Sequence, residues 1–137
     1  MSSAPEVVRI AKVQRAPEGY VDVVLTAGSH LDLPGALELN DALRRLMGSD
    51  YPRPFLVDIT PPHRTDPAVR RFASEVQTAE LIERLVLLVR TPVARMLGNA
   101  FLMARRPPFP VRLFSERERA VQWLLGGRRN QVQRAVP

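Results

Sequence analysis

Arg53-Pro-Phe-Leu-Val-Asp-Ile-Thr60 decides how the rest of the chain is read. Its Phe-Leu-Val-x-Ile core is apolar at successive positions and prolines flank it. An extended segment covered on one face alternates apolar and polar residues, whereas one covered on both faces is continuously apolar, so this stretch predicts a short central strand of an α/β sheet. Asp58 falls near its carboxyl end, and the polar stretch Thr60-Pro-Pro-His-Arg-Thr65 follows as a loop. In open α/β sheets ligands and partners gather outside the carboxyl ends of the strands, which makes Asp58, His63, Thr65 and Asp66 the candidate interaction residues at this edge.

Working outward, Asp66-Pro67 reads as a cap followed by proline at the first helical position, with Val69, Phe72, Ala73 and Val76 as the buried stripe of that helix. On the amino-terminal side, Ala36, Leu39, Leu43, Leu46 and Met47 recur at helical spacing between Asp32-x-Pro34 and Gly48, a start and a stop signal. Earlier still, Val7–Val13 and Tyr20–Leu25 are β-rich, and the proline and glycine of Gln14–Gly19 make them a hairpin.

Downstream, Leu85–Val89 is a second continuous apolar strand and Thr91-Pro92 opens a helix with Val93, Met96, Leu97, Ala100, Phe101 and Ala104 as its stripe. Arg106–Pro110 stops that helix, and Val111–Phe114 is a last short strand. Ser115-x-x-Glu118 reads as a capping box for a helix that carries Ala120, Val121, Trp123 and Leu124, with the lone tryptophan as an inward anchor. Gly126-Gly127 is expected to end the fold and residues 128–137 to form a flexible polar tail. The order β-β-α-β-α-β-α-β-α predicts a small α/β domain over residues 1–127, an amino-terminal β-hairpin followed by repeated βα units on a mostly parallel sheet.

At 137 residues, 45% of them hydrophobic, the chain supports one core and not two. It has no cysteine, which removes disulfide frameworks, cysteine nucleophiles and thiolate zinc sites. No signal peptide is recognisable at the amino terminus and no apolar run reaches the roughly 18 residues of a membrane span, which together predict a cytoplasmic protein. The formal charge of +6 comes from nineteen arginines and a single lysine, Lys12. Pairs such as Arg44-Arg45, Arg70-Arg71 and Arg105-Arg106 are dispersed over separate helices, without interleaved aromatics, and this argues against a nucleic-acid partner.

Three carboxyl-terminal stretches, Thr91-Pro-Val-Ala-Arg-Met-Leu-Gly-Asn-Ala-Phe101, Arg106-Pro-Pro-Phe-Pro-Val-Arg-Leu-Phe114 and Ala120-Val-Gln-Trp-Leu124, resemble the STAS-like family of anti-sigma-factor antagonists. They are more similar still to bacterial STAS-like domains of unknown function, over about residues 6 to 126. The resemblance implies a fold and no activity. Antagonists of that type carry an Asp-Ser-Ser-Gly turn whose first serine is phosphorylated. This chain reads His63-Arg-Thr-Asp-Pro67 there, without serine or glycine, so the phosphoserine switch does not carry over.

Residue by residue, no catalytic, cofactor-binding or metal-binding set is expected. His30 and His63 stand in separate loops without the spacing of a metal motif, and Ser29 and Ser115 occupy no nucleophile elbow. Two features carry more weight. Asn99 is a polar residue in a strongly apolar helix, expected to face solvent or to bond locally, and Leu102 with Met103 extends the apolar surface beyond one core contact. The leading expectation is a non-enzymatic regulatory or protein-protein interaction module, a homodimer with a further protein partner. The alternative is a carrier of a small apolar ligand or lipid, in a cavity lined by residues such as Met96, Phe101 and Met103.

Overall fold

A computed structural model describes residues 4–69, 79–104 and 107–135. In chain order its strands are β1 (Glu6–Val7), β2 (Ala11–Arg15), β3 (Val21–Leu25), β4 (Ser29–Leu31), β5 (Arg53–Asp58), β6 (His63–Thr65), β7 (Ile82–Leu88) and β8 (Val111–Phe114). Among the described residues the helices are α1 (Leu33–Met47), α2 (Pro92–Ala104) and α3 (Arg117–Ala135), and a helical turn occupies 67–69. The expected positions Phe72, Ala73 and Val76 lie outside the described residues.

Six strands make one sheet in the order β1-β2-β3-β5-β7-β8. The β1–β2 and β2–β3 pairs are antiparallel, and β3–β5, β5–β7 and β7–β8 are parallel. The Phe55–Val57 segment therefore lies in the middle of the sheet, and the side-chain period of two sorts its residues. Phe55 joins Val13, Val21, Val23, Leu85 and Leu87 in a core closed by Ala42, Leu43 and Leu46 of α1 and Ala94 of α2. Leu56 joins Val86 and Leu88 on the opposite face, beneath Ala120 and Leu124 of α3. Helices on both faces are the reason these strands are apolar throughout.

Helix α1 begins and ends where its signals stand. The Asp32 carboxylate accepts from the Gly35 N–H at 2.9 Å, and Gly48, at φ 58°, donates to the Arg44 carbonyl. Gly35 is needed for close approach: a Cβ there would come within 2.6 Å of the Arg9 guanidinium and 2.9 Å of Ile10. Helix α2 is capped by the Thr91 hydroxyl, which accepts from the Ala94 N–H at 3.1 Å.

The buried stripe of α2 departs from expectation. Val93 and Met96 are exposed, while Ala94 and Gly98 are buried and Leu97 and Phe101 half-buried, so the inner face is rotated by one residue. Gly98 decides this rotation: a Cβ there would lie 3.0 Å from Leu113 Cδ2, so the helix backbone presses on β8 at the one position without a side chain.

Three further expectations are corrected. Helix α3 starts at Arg117, which moves the N-cap position to Glu116 and leaves Ser115 one residue outside it. It also runs through Gly126 and Gly127 to Ala135, so these glycines do not stop the helix. The segment Arg128–Ala135 is rich in arginine and glutamine, good helix formers whose polarity masked the helix. Trp123 is half-buried, its ring covered by the Arg84 guanidinium at 4.6 Å and flanked by Phe114 at 6.1 Å. It closes the rim of the α3 core and does not anchor its centre.

Because a Cβ at Gly126 would meet nothing within 4 Å, glycine there contributes no packing. Gly126→Ala is expected to raise stability by about 0.5 to 1 kcal/mol through helix propensity and a less flexible unfolded chain. Urea denaturation checks this, and no change would mean that the helix stops short of this residue.

Candidate functional site

The expected loops around His30 and His63 are strands. Ser29–Leu31 and His63–Thr65 pair in parallel, Ser29 beside His63, His30 beside Arg64 and Leu31 beside Thr65, as a two-stranded sheet separate from the main one. Three residues are too few to show a period in sequence. The Gly28 N–H donates to the Pro62 carbonyl at one end and the Asp66 N–H to the Leu31 carbonyl at 2.9 Å at the other. The two histidines are thereby brought to neighbouring strands.

This small sheet closes one side of a cavity of about 200 Å3 on the α1 and α2 face of the main sheet. Val23 and Leu25 of β3, Phe55 and Val57 of β5, and Leu85 and Leu87 of β7 line it from the sheet. Leu39 and Leu43 of α1 and Leu97 and Phe101 of α2 line it from the helices. Among the described residues that line it, only His63 and Thr65, both on β6, are polar. Met96 and Met103, expected on such a wall, do not contribute to it, since the rotation of α2 turns them outward. Sequence reasoning missed Leu39, Val57 and Leu97 as cavity-lining residues because a cavity wall and a packed core share one hydrophobic pattern.

A second, more open groove lies outside the carboxyl ends of β5 and β7, lined by Asp58, Thr60, Pro61, Arg90 and Thr91 among others. Ile59, His63 and Leu97 border both spaces and form the partition between them. The groove's floor is tied internally. Asp58 is buried and accepts from the Thr60 N–H at 2.9 Å, while the Thr60 hydroxyl donates to the Leu88 carbonyl and accepts from the Arg90 N–H at 3.0 Å. Asp58 thus stiffens the turn after the central strand.

Asp66 precedes the helical turn at 67–69, and its carbonyl accepts from the Val69 N–H. Its carboxylate is turned elsewhere: Oδ1 meets His30 Nε2 at 2.7 Å, linking the end of β6 to β4. The His30 and Asp66 side chains are 41% and 47% exposed, so their coupling is expected to be small, about 0.5 to 1 kcal/mol in a double-mutant cycle of His30→Ala and Asp66→Ala read by urea denaturation. Strictly additive losses would show that the contact contributes nothing.

The outer face of α2 carries Val93 at 63%, Met96 at 63% and Met103 at 87% exposure, with Asn99 also exposed and Leu102 half-buried. Asn99 therefore faces solvent as expected, within an apolar stripe and away from the cavity. Many arginines serve the scaffold: Arg9 pairs with Asp32, Arg45 with Glu6, Arg44 with Glu80, and Arg15 and Arg53 with Asp50. The hydrogen bonds from Arg53 and Arg15 hold the Asp50 carboxyl below its usual range, and burial pushes Tyr20 up. Neither residue borders the cavity. Among the described residues no group of histidine, aspartate and glutamate is arranged to hold a metal ion, and no helix is long and apolar enough to cross a membrane.

Comparison with curated proteins gave no match. Among solved structures, an uncharacterized protein of the DUF3478 family with a SpoIIAA-like fold, from Shewanella loihica PV-4, is similar with a TM-score of 0.59 and 12% identity, over 90% of this chain and 98% of that one. At that identity the likeness is one of fold, and this chain has the same STAS-like α/β architecture. The model for the domain of unknown function DUF7793 matches residues 16–126, and the chain belongs to that family.

Proposed function

We propose that this domain is a non-enzymatic binding module that takes a small apolar ligand into the cavity between its main sheet and helices α1 and α2, and that occupancy is its regulatory signal. The cavity carries this reading. A recess of about 200 Å3 walled almost wholly by apolar side chains is poorly solvated by water, which favours an apolar ligand that fills it. Its wall has the composition of a ligand site, apolar residues with a small number of polar groups at one end.

Native mass spectrometry of the chain purified from its own cells is expected to show adducts above the 15.4 kDa polypeptide that organic solvent removes. Ethylbenzene, a stand-in for an apolar ligand, is expected to raise the melting temperature in a concentration-dependent way. Val57→Phe, which adds a ring into the cavity, is expected to abolish that rise while the variant still melts cooperatively. Bare polypeptide mass together with no response to ethylbenzene overturns the proposal.

A second reading, a protein-interaction module that forms a homodimer, has its own support in the exposed stripe Val93, Met96 and Met103. Exposed apolar side chains gathered on one helix face mark interaction sites. Met103→Glu tests it better than a change at half-buried Leu102: sedimentation at micromolar concentration should show a dimer that the substitution weakens, and a wild-type monomer would reject the dimer.

A further inference from the structure

We propose that the ligand carries a hydroxyl group, alcoholic or phenolic, that His63 and Thr65 read together; this rests on the cavity being a ligand site. His63 Nδ1 lies 2.7 Å from the Pro61 carbonyl oxygen. A carbonyl only accepts, so in the uncharged ring the hydrogen is on Nδ1 and Nε2 is left as an acceptor. Thr65 is two residues further along β6, on the same side of the strand, and its hydroxyl both donates and accepts. Among the described residues neither His63 Nε2 nor the Thr65 hydroxyl has a hydrogen-bond partner, and the remaining lining of the cavity is apolar.

One acceptor beside one donor is the complement of a hydroxyl, which gives its hydrogen to Nε2 and accepts from Thr65. A carboxylate brings no hydrogen to Nε2, and an ammonium would be a charge placed against apolar side chains without a counter-ion. Size narrows the class further. An engineered apolar cavity of about 150 Å3 holds benzene, so the space of about 200 Å3 here accepts a ring with a short substituent or a branched alcohol of similar bulk.

The test titrates the full chain, at mildly alkaline pH, with ethylbenzene, 4-ethylphenol and 4-ethylbenzoate, by calorimetry. The phenol is expected to bind roughly tenfold tighter than the hydrocarbon, the gain of one to two net hydrogen bonds, and the benzoate most weakly. Thr65→Val, which removes the hydroxyl at constant shape, and His63→Leu should each bring the phenol toward the affinity of ethylbenzene. Ethylbenzene binding is itself the control that the variant pocket is intact, and if His63→Leu does not fold, Thr65→Val alone decides. An unchanged phenol preference in Thr65→Val overturns the assignment. So does tightest binding of the benzoate, which would place the polar end against Arg90 in the outer groove. Failure of all three compounds to bind the wild-type chain instead removes the ligand-site reading on which the assignment rests.

Discussion

Leu56→Ala is expected to lower stability by about 3 to 5 kcal/mol, the upper part of the range for leucine truncation in a core. Leu56 is 0% exposed, lies in the middle strand, and packs with Val86 and Leu88 beneath Ala120 and Leu124, so the structure has no loose element that could collapse into the void. For a chain of this size each kcal/mol lowers the melting temperature by about 3 to 4 °C, and the loss should be about 10 to 20 °C. Its neighbour supplies the contrast. Val57 points to the other face and lines the cavity, where empty volume already exists, so Val57→Ala should cost only about 1 kcal/mol. Urea denaturation of both variants checks the pair. If Leu56→Ala costs under about 1.5 kcal/mol the α3 face is not tightly packed, and if the two losses are equal the cavity face is as well filled as the other.

That asymmetry between two adjacent residues also shows where sequence reading stops. The continuous apolar run Phe55–Val57 and its equivalent Leu85–Val89 announce strands covered on both sides, because only such strands can afford no polar face. The start of α1 at Asp32 and its end at Gly48 were equally legible, since both signals act within one turn of backbone. What each face is packed against depends on partners distant in sequence. Nothing in the run distinguishes Leu56, locked under α3, from Val57, facing a void. The rotation of α2 was hidden for a related reason: Val93 and Met96 satisfy the helical period as well as Ala94 and Leu97 do, and the choice falls to the contact of Gly98 with Leu113 across the core. The polar end of the cavity was half legible. His63 and Thr65 were recognised as edge residues, but the strand that sets them side by side is three residues long and is specified by pairing with Ser29–Leu31.

Arg117→Ala is expected to cost about 2 to 3 kcal/mol although the side chain lies at the surface end of a helix. Its guanidinium meets Asp22 Oδ1 at 3.2 Å, tying the first turn of α3 to β3. Asp22 is only 7% exposed, and its other oxygen has the Gln14 amide at 3.5 Å, a weak partner. Removing the arginine therefore leaves a carboxylate in a largely dry site with little to compensate it, and that penalty, more than the lost attraction, sets the size of the effect. The arginine side chain is 36% exposed, which keeps the expected loss below the 3 to 5 kcal/mol typical of a fully buried pair. The same reasoning predicts a rescue. Asp22→Asn in the Arg117→Ala background removes the stranded charge while retaining the shape, and should recover at least about 1 kcal/mol in urea denaturation. A single substitution that costs less than about 0.5 kcal/mol, or a double variant no more stable than the single one, would show that Asp22 is already well solvated and that α3 is held by its apolar contacts alone.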